Sequence, residues 1–358
     1  MRILLVGKGP PERGGIPSFL TTLLEGELAS VHDLSFLNLA DGAQPQGGRA
    51  SLANVRRTLH DAAQVWRAAA GQDVVHVHSS LAPAVTLLRA GLLALVARLR
   101  GSRVVVHAHG GLLLLWLTGR RRQWLVRLAL APAHRVLAVS TALEERLAVC
   151  LGAQAVALLD NGVDVARFAG ERETHDPPRV LYVGLLTARK GVLDLLEASR
   201  LLTARGVAHE VRLVGGTPDE GPAAAEPVLR AAREAGAVLV GALPPEQVPD
   251  AYREADLLCL ASWWEAMPLS VLEAMASGLP VVATDVGDVR RVVVTGRTGA
   301  LVPARDPEAL AEALEPLLQD PDRRRALGRA GRDLVTERFS AAATARALDT
   351  TYRDLGAP

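Results

Sequence analysis

Two glutamates in the segment 265–278 are the side chains that most clearly predict chemistry. Glu265 precedes a stretch with helical spacing, and Glu273 lies about two turns further on. Both stand among apolar residues, where an unpaired charge is costly. Because a carboxylate accepts paired hydrogen bonds from vicinal hydroxyls, the segment predicts a site for a hydroxyl-rich ligand. The alternatives are that Glu265 only offsets a helix dipole and that Glu273 is an ordinary helical residue.

A helix start is predicted at Pro268, since proline loses no hydrogen bond in the first turn of a helix. The free backbone N–H groups of Leu269 and Ser270 would then point outward from the carboxyl edge of a sheet. Doubly wound folds bind their ligands at that edge.

Arg189 and Lys190 predict an anion site. Of the 40 basic residues only Lys8 and Lys190 are lysines, and each follows a predicted strand beside glycines. Cations near the N-terminus of the helix expected from about Val192 oppose its dipole, unless an anion such as phosphate lies between. A solvated surface pair is the alternative.

Gly14 and Gly15 precede another predicted helix, where glycine lets a phosphate approach the backbone. A plain turn explains them equally well. A dinucleotide fingerprint is excluded, because Gly7-Lys8-Gly9 is followed by two prolines and a glutamate.

Short apolar runs that alternate with helical patterns position these residues. The alternation predicts parallel sheets with helices on both faces. The expected strands are residues 3–6, 73–77, 104–107, 136–139, 180–183, 210–214, 237–240, 257–260 and 281–284.

Two domains are expected for a chain of 358 residues. The polar, proline-bearing segment 169–178 predicts the linker. The expected domains are therefore 1–168 and 169–338, with a C-terminal helix of about 339–358 that packs back on the first.

Composition narrows the class of protein. Hydrophobic residues make up 49% and charged residues 22%, as is typical of a soluble globular protein. The net charge of +1 creates no overall positive potential that would attract nucleic acid. No export signal is visible, and the longest apolar run, 82–99, is interrupted by Arg89 and Arg98. Two distant cysteines in apolar stretches favour a reducing, cytoplasmic setting.

The segment from Glu265 resembles the E-x7-E motif of glycosyltransferase family 4, and further blocks of the family follow the same order along the chain. These are RGGIPSF from Arg13, DVVHVHS from Asp73, HAHGG from His107, VLAVS from Val136, NGVDVARF from Asn161, VGLLTARKG from Val183 and GLPVVATDVGD from Gly278. The resemblance covers essentially the whole chain. It implies an α/β protein of the GT-B fold, with two Rossmann-like doubly wound domains facing across a cleft.

The resemblance also implies roles for single residues. Glu273 would bind the ribose hydroxyls of a nucleotide-sugar donor, Lys190 would neutralise the departing diphosphate, and Gly15 would let the other domain close over it. Glu265 would contact the donor sugar, and His109 would lie beside the reacting carbon. The implied catalytic set is His109, Glu265 and Lys190, and the implied donor-binding set is Gly14, Gly15, Gly184, Arg189, Lys190, Gly216, Met267, Pro268, Leu269, Ser270 and Glu273.

Three positions depart from the family pattern. Leu185 stands where an arginine is usual, and Arg189 in the same loop is the candidate to replace it. Asp288 occupies a position where the family usually has a glycine, and Arg291 one where it commonly has a glutamate. These departures concern the details of donor binding.

The expected activity is retaining transfer of a hexose from a nucleotide-diphosphate sugar, with UDP as the commoner nucleotide, to a glycan or lipid-linked acceptor. A sugar-nucleotide epimerase and a non-catalytic nucleotide-sugar binder are the alternatives. No cofactor or metal is expected, since Asp320-Pro321-Asp322 is better explained as a helix cap. His76, His78 and His107 are expected to be strand residues.

The segment 112–127 combines leucines, tryptophans and four arginines. It predicts either an interfacial anchor on an anionic membrane, at the inner face of the plasma membrane, or a buried helix with a basic end.

Overall fold

The computed structural model describes residues 1–12, 14–40, 51–217 and 222–356, with only the backbone of 222–224. Arg13, the first residue of the RGGIPSF block, lies outside the described residues. The chain forms two compact units, Met1–Gly162 with Ala341–Pro358, and Val163–Ser340.

The first unit is built on a parallel sheet whose central strands are rich in valine and buried on both faces. Its strands are β1 (Arg2–Gly7), β2 (Asp33–Asn38), β3 (Val74–Ser79), β4 (Arg103–Ala108), β5 (Arg135–Ala138) and β6 (Val156–Leu158). The order across the sheet is β2-β1-β3-β4-β5-β6. The helices that follow these strands are α1 (Gly15–Glu25), α2 (Glu27–Val31), α3 (Leu52–Ala68), α4 (Ala84–Leu99), α5 (Leu112–Trp116), α6 (Arg120–Leu130) and α7 (Thr141–Leu151).

The second unit repeats the plan with a different strand order. Its strands are β7 (Arg179–Val183), β8 (Glu210–Val214), β9 (Val238–Gly241), β10 (Leu257–Leu260), β11 (Val281–Thr284) and β12 (Gly299–Val302). They lie in the order β12-β11-β10-β7-β8-β9, all parallel. The helices are α8 (Val192–Ala204), α9 (Pro222–Glu234), α10 (Val248–Arg253), α11 (Leu269–Ala276), α12 (Pro307–Gln319) and α13 (Pro321–Arg338).

A last helix, α14 (Ala341–Asp354), belongs to the first unit. It packs against α1 and α2. Leu348 and Tyr352 are fully buried there, and Asp349 accepts a 2.9 Å contact from the imidazole of His32. The end of the chain thus completes the core of the unit that the start of the chain began.

The strands that the sequence did not predict lie at sheet edges. They are β2, β6 and β12, and each is short, polar at one end or only partly buried. An edge strand packs less of its surface, so its apolar signal is weaker than that of a central strand.

The two units divide after Gly162, because Val163 and Phe168 are buried in the core of the second unit. Asp320 is the N-cap of α13 and accepts a 2.9 Å hydrogen bond from the backbone N–H of Arg323, which confirms its predicted capping role. Within the described part of the chain, no helix has both the length and the apolar character needed to cross a bilayer.

Candidate functional site

The sheet of the second unit has a topological switch point between β7 and β10. From β7 the chain continues outward through β8 and β9, then returns to the other side of β7 as β10. Doubly wound sheets bind ligands outside the carboxyl ends of the strands at such a point. The loop after β7 carries Lys190, and the loop after β10 carries Glu265. The topology therefore marks the same two loops that the sequence singled out.

Lys190 and Glu265 form an ion pair, with 2.6 Å between Lys190 Nζ and Glu265 Oε1. The same carboxylate oxygen accepts a 2.7 Å hydrogen bond from the Ser262 hydroxyl. Glu265 is only 8% exposed, so its charge depends on these partners. Two candidate residues from distant parts of the chain are thus in direct contact.

The two loops are also joined through their backbones. Trp263 donates its backbone N–H to the carbonyl of Arg189 at 3.0 Å. Gly191 has a φ of +67°, and a Cβ there would stand 1.7 Å from the carbonyl oxygen of Ala261. This close approach explains why a glycine follows Lys190.

Arg189 lies beside the pair in a short 3-10 turn, 188–190, and is exposed. Its guanidinium forms no hydrogen bond or ion pair with any residue that the structure describes. That Arg189 replaces the family arginine missing at Leu185 stays a prediction. The side chain of Leu185 is exposed, and its carbonyl accepts a 2.7 Å hydrogen bond from the Tyr182 hydroxyl.

Gly184 and Gly216 follow the neighbouring strands β7 and β8 at the same edge of the sheet. The loop of Gly184 is held against that of Gly216 by a 3.1 Å bond from the N–H of Leu186 to the carbonyl of Gly216. Gly184 has a φ of +159°, and a Cβ there would lie 2.8 Å from the Tyr182 hydroxyl. Because glycine has no side chain, the two glycines leave room for a ligand at this edge of the sheet.

Helix α11 begins at Leu269, with Pro268 as the residue before it and no side chain capping its N-terminus. Met267 is buried, whereas Leu269 and Ser270 are partly exposed. The N-terminus of α11 therefore lies in the same loop as Glu265, one residue after the predicted helix start at Pro268. Donor binding by Met267, Pro268, Leu269 and Ser270 stays a prediction.

Glu273 faces Tyr252, whose hydroxyl donates a 2.7 Å hydrogen bond to Glu273 Oε2. Burial raises the pKa of Glu273, while the bond from Tyr252 and the charge of Arg167 act in the opposite direction. Burial, followed by the negative charge of Glu273, raises the pKa of Tyr252. Among the described residues, Oε1 has no hydrogen-bond partner, so it can accept one from a ligand.

The two departures Asp288 and Arg291 form an ion pair with each other, 3.1 Å between Arg291 Nη1 and Asp288 Oδ2. Asp288 is buried, and its backbone N–H donates to the carbonyl of Ala266 at 2.9 Å. Next to it, Gly287 has a φ of +54°, and a Cβ there would lie 2.2 Å from the carbonyl oxygen of Glu265. The paired departures thus support the loop that carries Glu265.

In the first unit, Gly14 and Gly15 are exposed at the start of α1. Gly14 has a φ of +133°, with open space where a Cβ would stand. His109 follows β4, and its Nε2 lies 2.9 Å from Nδ1 of His78. Burial lowers the pKa of His109 to about 3, so the imidazole is neutral at pH 7.

Several functional residues were missed by the sequence reasoning. Tyr252 and Ser262 hold the two glutamates, and Arg167 acts on Glu273 from the segment before β7. Trp263 donates to Asp194 at 2.6 Å, and the guanidinium of Arg305 lies 4.3 Å from its ring. Trp263, in the letters SWWEAM, was the one visible signal, because a polar loop seldom carries two tryptophans.

Comparison with known proteins agrees with this geometry. Residues 15–167 match the model described as Glycosyltransferase Family 4, and residues 177–320 match that described as Glycosyl transferases group 1. The alpha-maltose-1-phosphate synthase of Mycolicibacterium smegmatis is 34% identical over 65% of this chain and 66% of its own length. The GDP-mannose-dependent alpha-(1-6)-phosphatidylinositol monomannoside mannosyltransferase of the same organism is 29% identical over 92% of each chain.

Solved structures show the same fold. Sucrose-phosphate synthase from Thermosynechococcus elongatus superposes with a TM-score of 0.79 at 22% identity and covers 100% of both chains. Anabaena HepE in complex with UDP and glucose superposes with a TM-score of 0.78 at 18% identity, covering 99% of this chain and 100% of its own.

Two doubly wound sheets of this kind and two matching transferase models define the class of the protein, a glycosyltransferase of the GT-B fold. Within that class, the chain belongs to glycosyltransferase family 4. It spans about two thirds of the length of the maltose-1-phosphate synthase that it matches.

Proposed function

We propose that the protein is a retaining hexosyltransferase. It takes a hexose from a nucleotide-diphosphate donor, with UDP as the nucleotide, and passes it to a hydroxyl of a glycan or lipid-linked acceptor in cell-surface polysaccharide or glycoconjugate synthesis. The observation that carries the proposal is the buried ion pair between Lys190 and Glu265 at the switch point of the second sheet.

The donor's diphosphate needs positive charge as it departs. Lys190 and the N-terminus of α11 supply that charge from fixed positions, and Arg189 adds a second, exposed cation. Preorganised groups are usually the largest catalytic contribution. These cations take the place of a divalent ion, so the transfer is proposed to be metal-independent. Glu265 holds Lys190 in position and contacts the donor sugar.

We propose transfer on the same face of the sugar, and this charge distribution supports it by stabilising the departing diphosphate. The bond from the anomeric carbon to the phosphate oxygen breaks, and a bond from that carbon to the acceptor oxygen forms on the same side. The departing phosphate oxygen takes the acceptor's proton, so no protein base is required. His109, neutral at pH 7, orients the donor sugar by hydrogen bonding.

Glu273 is the proposed ribose ligand, since its Oε2 is held by Tyr252 while Oε1 is available to a hydroxyl. The identity of the base in the donor nucleotide is supported less directly, because the related proteins differ. HepE was solved with UDP, whereas the mannosyltransferase relative is named for GDP-mannose. The donor panel below decides between them.

The test is a thermal-shift screen of UDP-glucose, UDP-galactose, UDP-N-acetylglucosamine and GDP-mannose without added divalent ions. A bound donor raises the melting temperature by mass action. We expect a UDP-sugar to give the largest shift, and NMR of the product formed with a lipid-linked acceptor to show the donor's anomeric configuration. A larger shift with GDP-mannose would show that the donor nucleotide is GDP and not UDP. A product with the inverted anomeric configuration would overturn retention. Isomerisation of the donor without an acceptor would indicate an epimerase.

The chain's only two lysines provide a matched pair of variants. We expect Lys190→Ala to lower kcat by about 10²- to 10³-fold, the usual effect of removing one preorganised donor of transition-state charge. Lys8→Ala is the control, since among the described residues Lys8 pairs only with Glu12, at 2.8 Å. Equal turnover by wild type and Lys190→Ala would remove the phosphate role.

A membrane surface is the proposed site of the acceptor. In α5 and α6 the large apolar side chains Leu112, Leu115, Trp124 and Leu128 are exposed. Arg120, Arg121 and Arg127 are exposed beside them, and the segment 112–127 has no acidic residue. This supports the interfacial anchor over the buried helix. We propose that the protein acts in the cytoplasm, at the inner face of the plasma membrane.

Flotation with vesicles of phosphatidylcholine and anionic phosphatidylglycerol tests this surface. Each arginine near an anionic membrane contributes about 1 kcal/mol, so replacing Arg120, Arg121 and Arg122 by serine should weaken binding by about 100-fold. The control replaces Arg323, Arg325 and Arg329, three exposed arginines of α13, with the same change in net charge. Equal flotation of both triple variants would contradict the proposed surface.

A further inference from the structure

Four histidines of the first unit form one cluster, which we call the histidine cluster: His76, His78, His107 and His109. His76 and His78 lie on one face of β3, and His107 pairs with His78 from β4. The ring centroids of His76 and His78 are 4.1 Å apart, and those of His107 and His109 are 3.9 Å apart. Such a concentration of imidazoles in a valine-rich sheet needs a physical reason.

The ring nitrogens of the cluster are only partly satisfied. His76 Nε2, His78 Nε2 and both nitrogens of His107 are buried and have no hydrogen-bond partner among the described residues. Leaving a buried polar group without a partner costs about 1–3 kcal/mol, and native proteins hold few of them. Four such atoms in one place indicate that a partner from outside the chain belongs there.

The spacing of the three strand histidines fits a metal ion. One ring nitrogen from each of His76, His78 and His107 lies within 4.8 Å of the other two. Neutral imidazole is a ligand suited to zinc, copper, iron and nickel. Tetrahedral zinc with nitrogens at about 2.0–2.1 Å needs them about 3.4 Å apart, which modest rotation of the rings would provide.

We propose that His76, His78 and His107 bind one transition-metal ion, with Zn²⁺ as the first candidate and Cu⁺ as the alternative with the smaller charge to bury. The site lies in the first unit alone, and its occupancy can be measured without the transfer reaction. It adds a metal to a chain for which the sequence predicted none.

The Nδ1 atoms of His76 and His78 have partners within the first unit. His76 Nδ1 lies 2.7 Å from the Tyr352 hydroxyl, and His78 Nδ1 lies 2.9 Å from His109 Nε2. A second partner on the other ring nitrogen orients a metal-binding imidazole. With the metal on His78 Nε2, the Nδ1–H of His78 donates to His109 Nε2. The proton of His109 then sits on Nδ1, so the metal fixes the tautomer of His109 and His78 acts as a positioning residue.

The test is metal analysis of the full chain, expressed with zinc in the medium and purified without a metal-affinity step. We expect about one zinc per chain, and replacement by Co²⁺ should give the visible absorption of a low-coordinate cobalt site. His76→Gln and His107→Gln should abolish stoichiometric metal. Tyr352→Phe should bind about 10-fold more weakly, as loss of an orienting partner does. His60→Gln, an exposed histidine of α3 bonded to Gln64, is the control and should keep the metal.

The unmodified protein keeps the proposal falsifiable if a buried variant does not fold. A bound ion stabilises the native state, so removal of metal should lower the melting temperature and re-addition should restore it. Wild-type protein that holds neither zinc nor copper after expression with each ion would overturn the site. So would metal that survives in folded His76→Gln and His107→Gln. Either result would leave the donor-panel experiment unaffected.

Discussion

The two glutamates of the E-x7-E segment play different roles because their partners differ. Glu265 is held by a cation, so removing either member of the pair leaves a buried charge alone. Glu273 is held by the neutral hydroxyl of Tyr252, and burial raises its pKa. Glu265 is thus paired with a cation, whereas the charge of Glu273 depends on pH and on the ligand.

This difference predicts a pH dependence that belongs to Glu273. Because its pKa is raised in the folded state, the neutral carboxyl stabilises the fold at low pH, and that stabilisation is lost as pH rises through the folded pKa. Ribose hydroxyls need the ionised carboxylate as acceptor, so UDP binding should weaken as pH falls through the same pKa. We expect Glu273→Gln to bind UDP more weakly at pH 8, yet to melt higher than wild type when free.

The measurement is the melting temperature with and without UDP, from about pH 4 to pH 8. This window starts near the usual glutamate pKa of about 4.3 and extends upward, the direction in which burial shifts the pKa of Glu273. The advantage of free Glu273→Gln should shrink toward acid pH. Glu246→Gln, at an exposed position on the same unit, should follow wild type throughout. Parallel profiles for wild type and Glu273→Gln would show that Glu273 does not titrate in this range.

At the scale of elements, the loops after β7 and β10 act as one structure. The close approach of Gly191 to Ala261, the bond from Trp263 to Arg189 and the Lys190–Glu265 pair all join them. A change in the backbone of one loop should therefore displace the charged side chains of both loops.

Gly191→Ala tests this coupling. The added Cβ would stand 1.7 Å from a carbonyl oxygen, so the loops have to separate. Gly206→Ala is a close control, since Gly206 also has a left-handed φ, +78°, but has open space around it. The free energy of unfolding of the control should fall only by the cost of a left-handed alanine, about 1–2 kcal/mol.

We expect Gly191→Ala to lose more stability than Gly206→Ala in urea unfolding, and also to lose turnover. If the two variants unfold at the same urea concentration, the loops are not coupled through this contact.

The sequence predicted the central strands and the residue types of the site, because those signals are local. Valine-rich runs and the E-x7-E spacing are visible in the letters alone. The contacts that Tyr252 and Ser262 make with the glutamates, and the pairing of Asp288 with Arg291, depend on how the chain folds back on itself. Long-range contacts of this kind leave no periodic pattern to detect.

At the scale of the whole molecule, the two units share the same alternation of strands and helices but differ in the order of strands across the sheet. The first sheet runs β2-β1-β3-β4-β5-β6, whereas the second places β7 between β10 and β8. Alternation predicts parallel pairing but does not fix which neighbour each strand takes. The position of the switch point, and with it the location of the donor loops, therefore came from the structure.

The return of α14 to the first unit has a consequence for biosynthesis. Residues 163–340 form a continuous unit, but the unit that holds Met1 is closed only by residues 341–358. On the ribosome, the half made second can finish folding first. The half made first keeps the surface that covers Leu348 and Tyr352 open until residues 341–358 are translated. Nascent chains stalled before codon 341 would expose that apolar surface to chaperones.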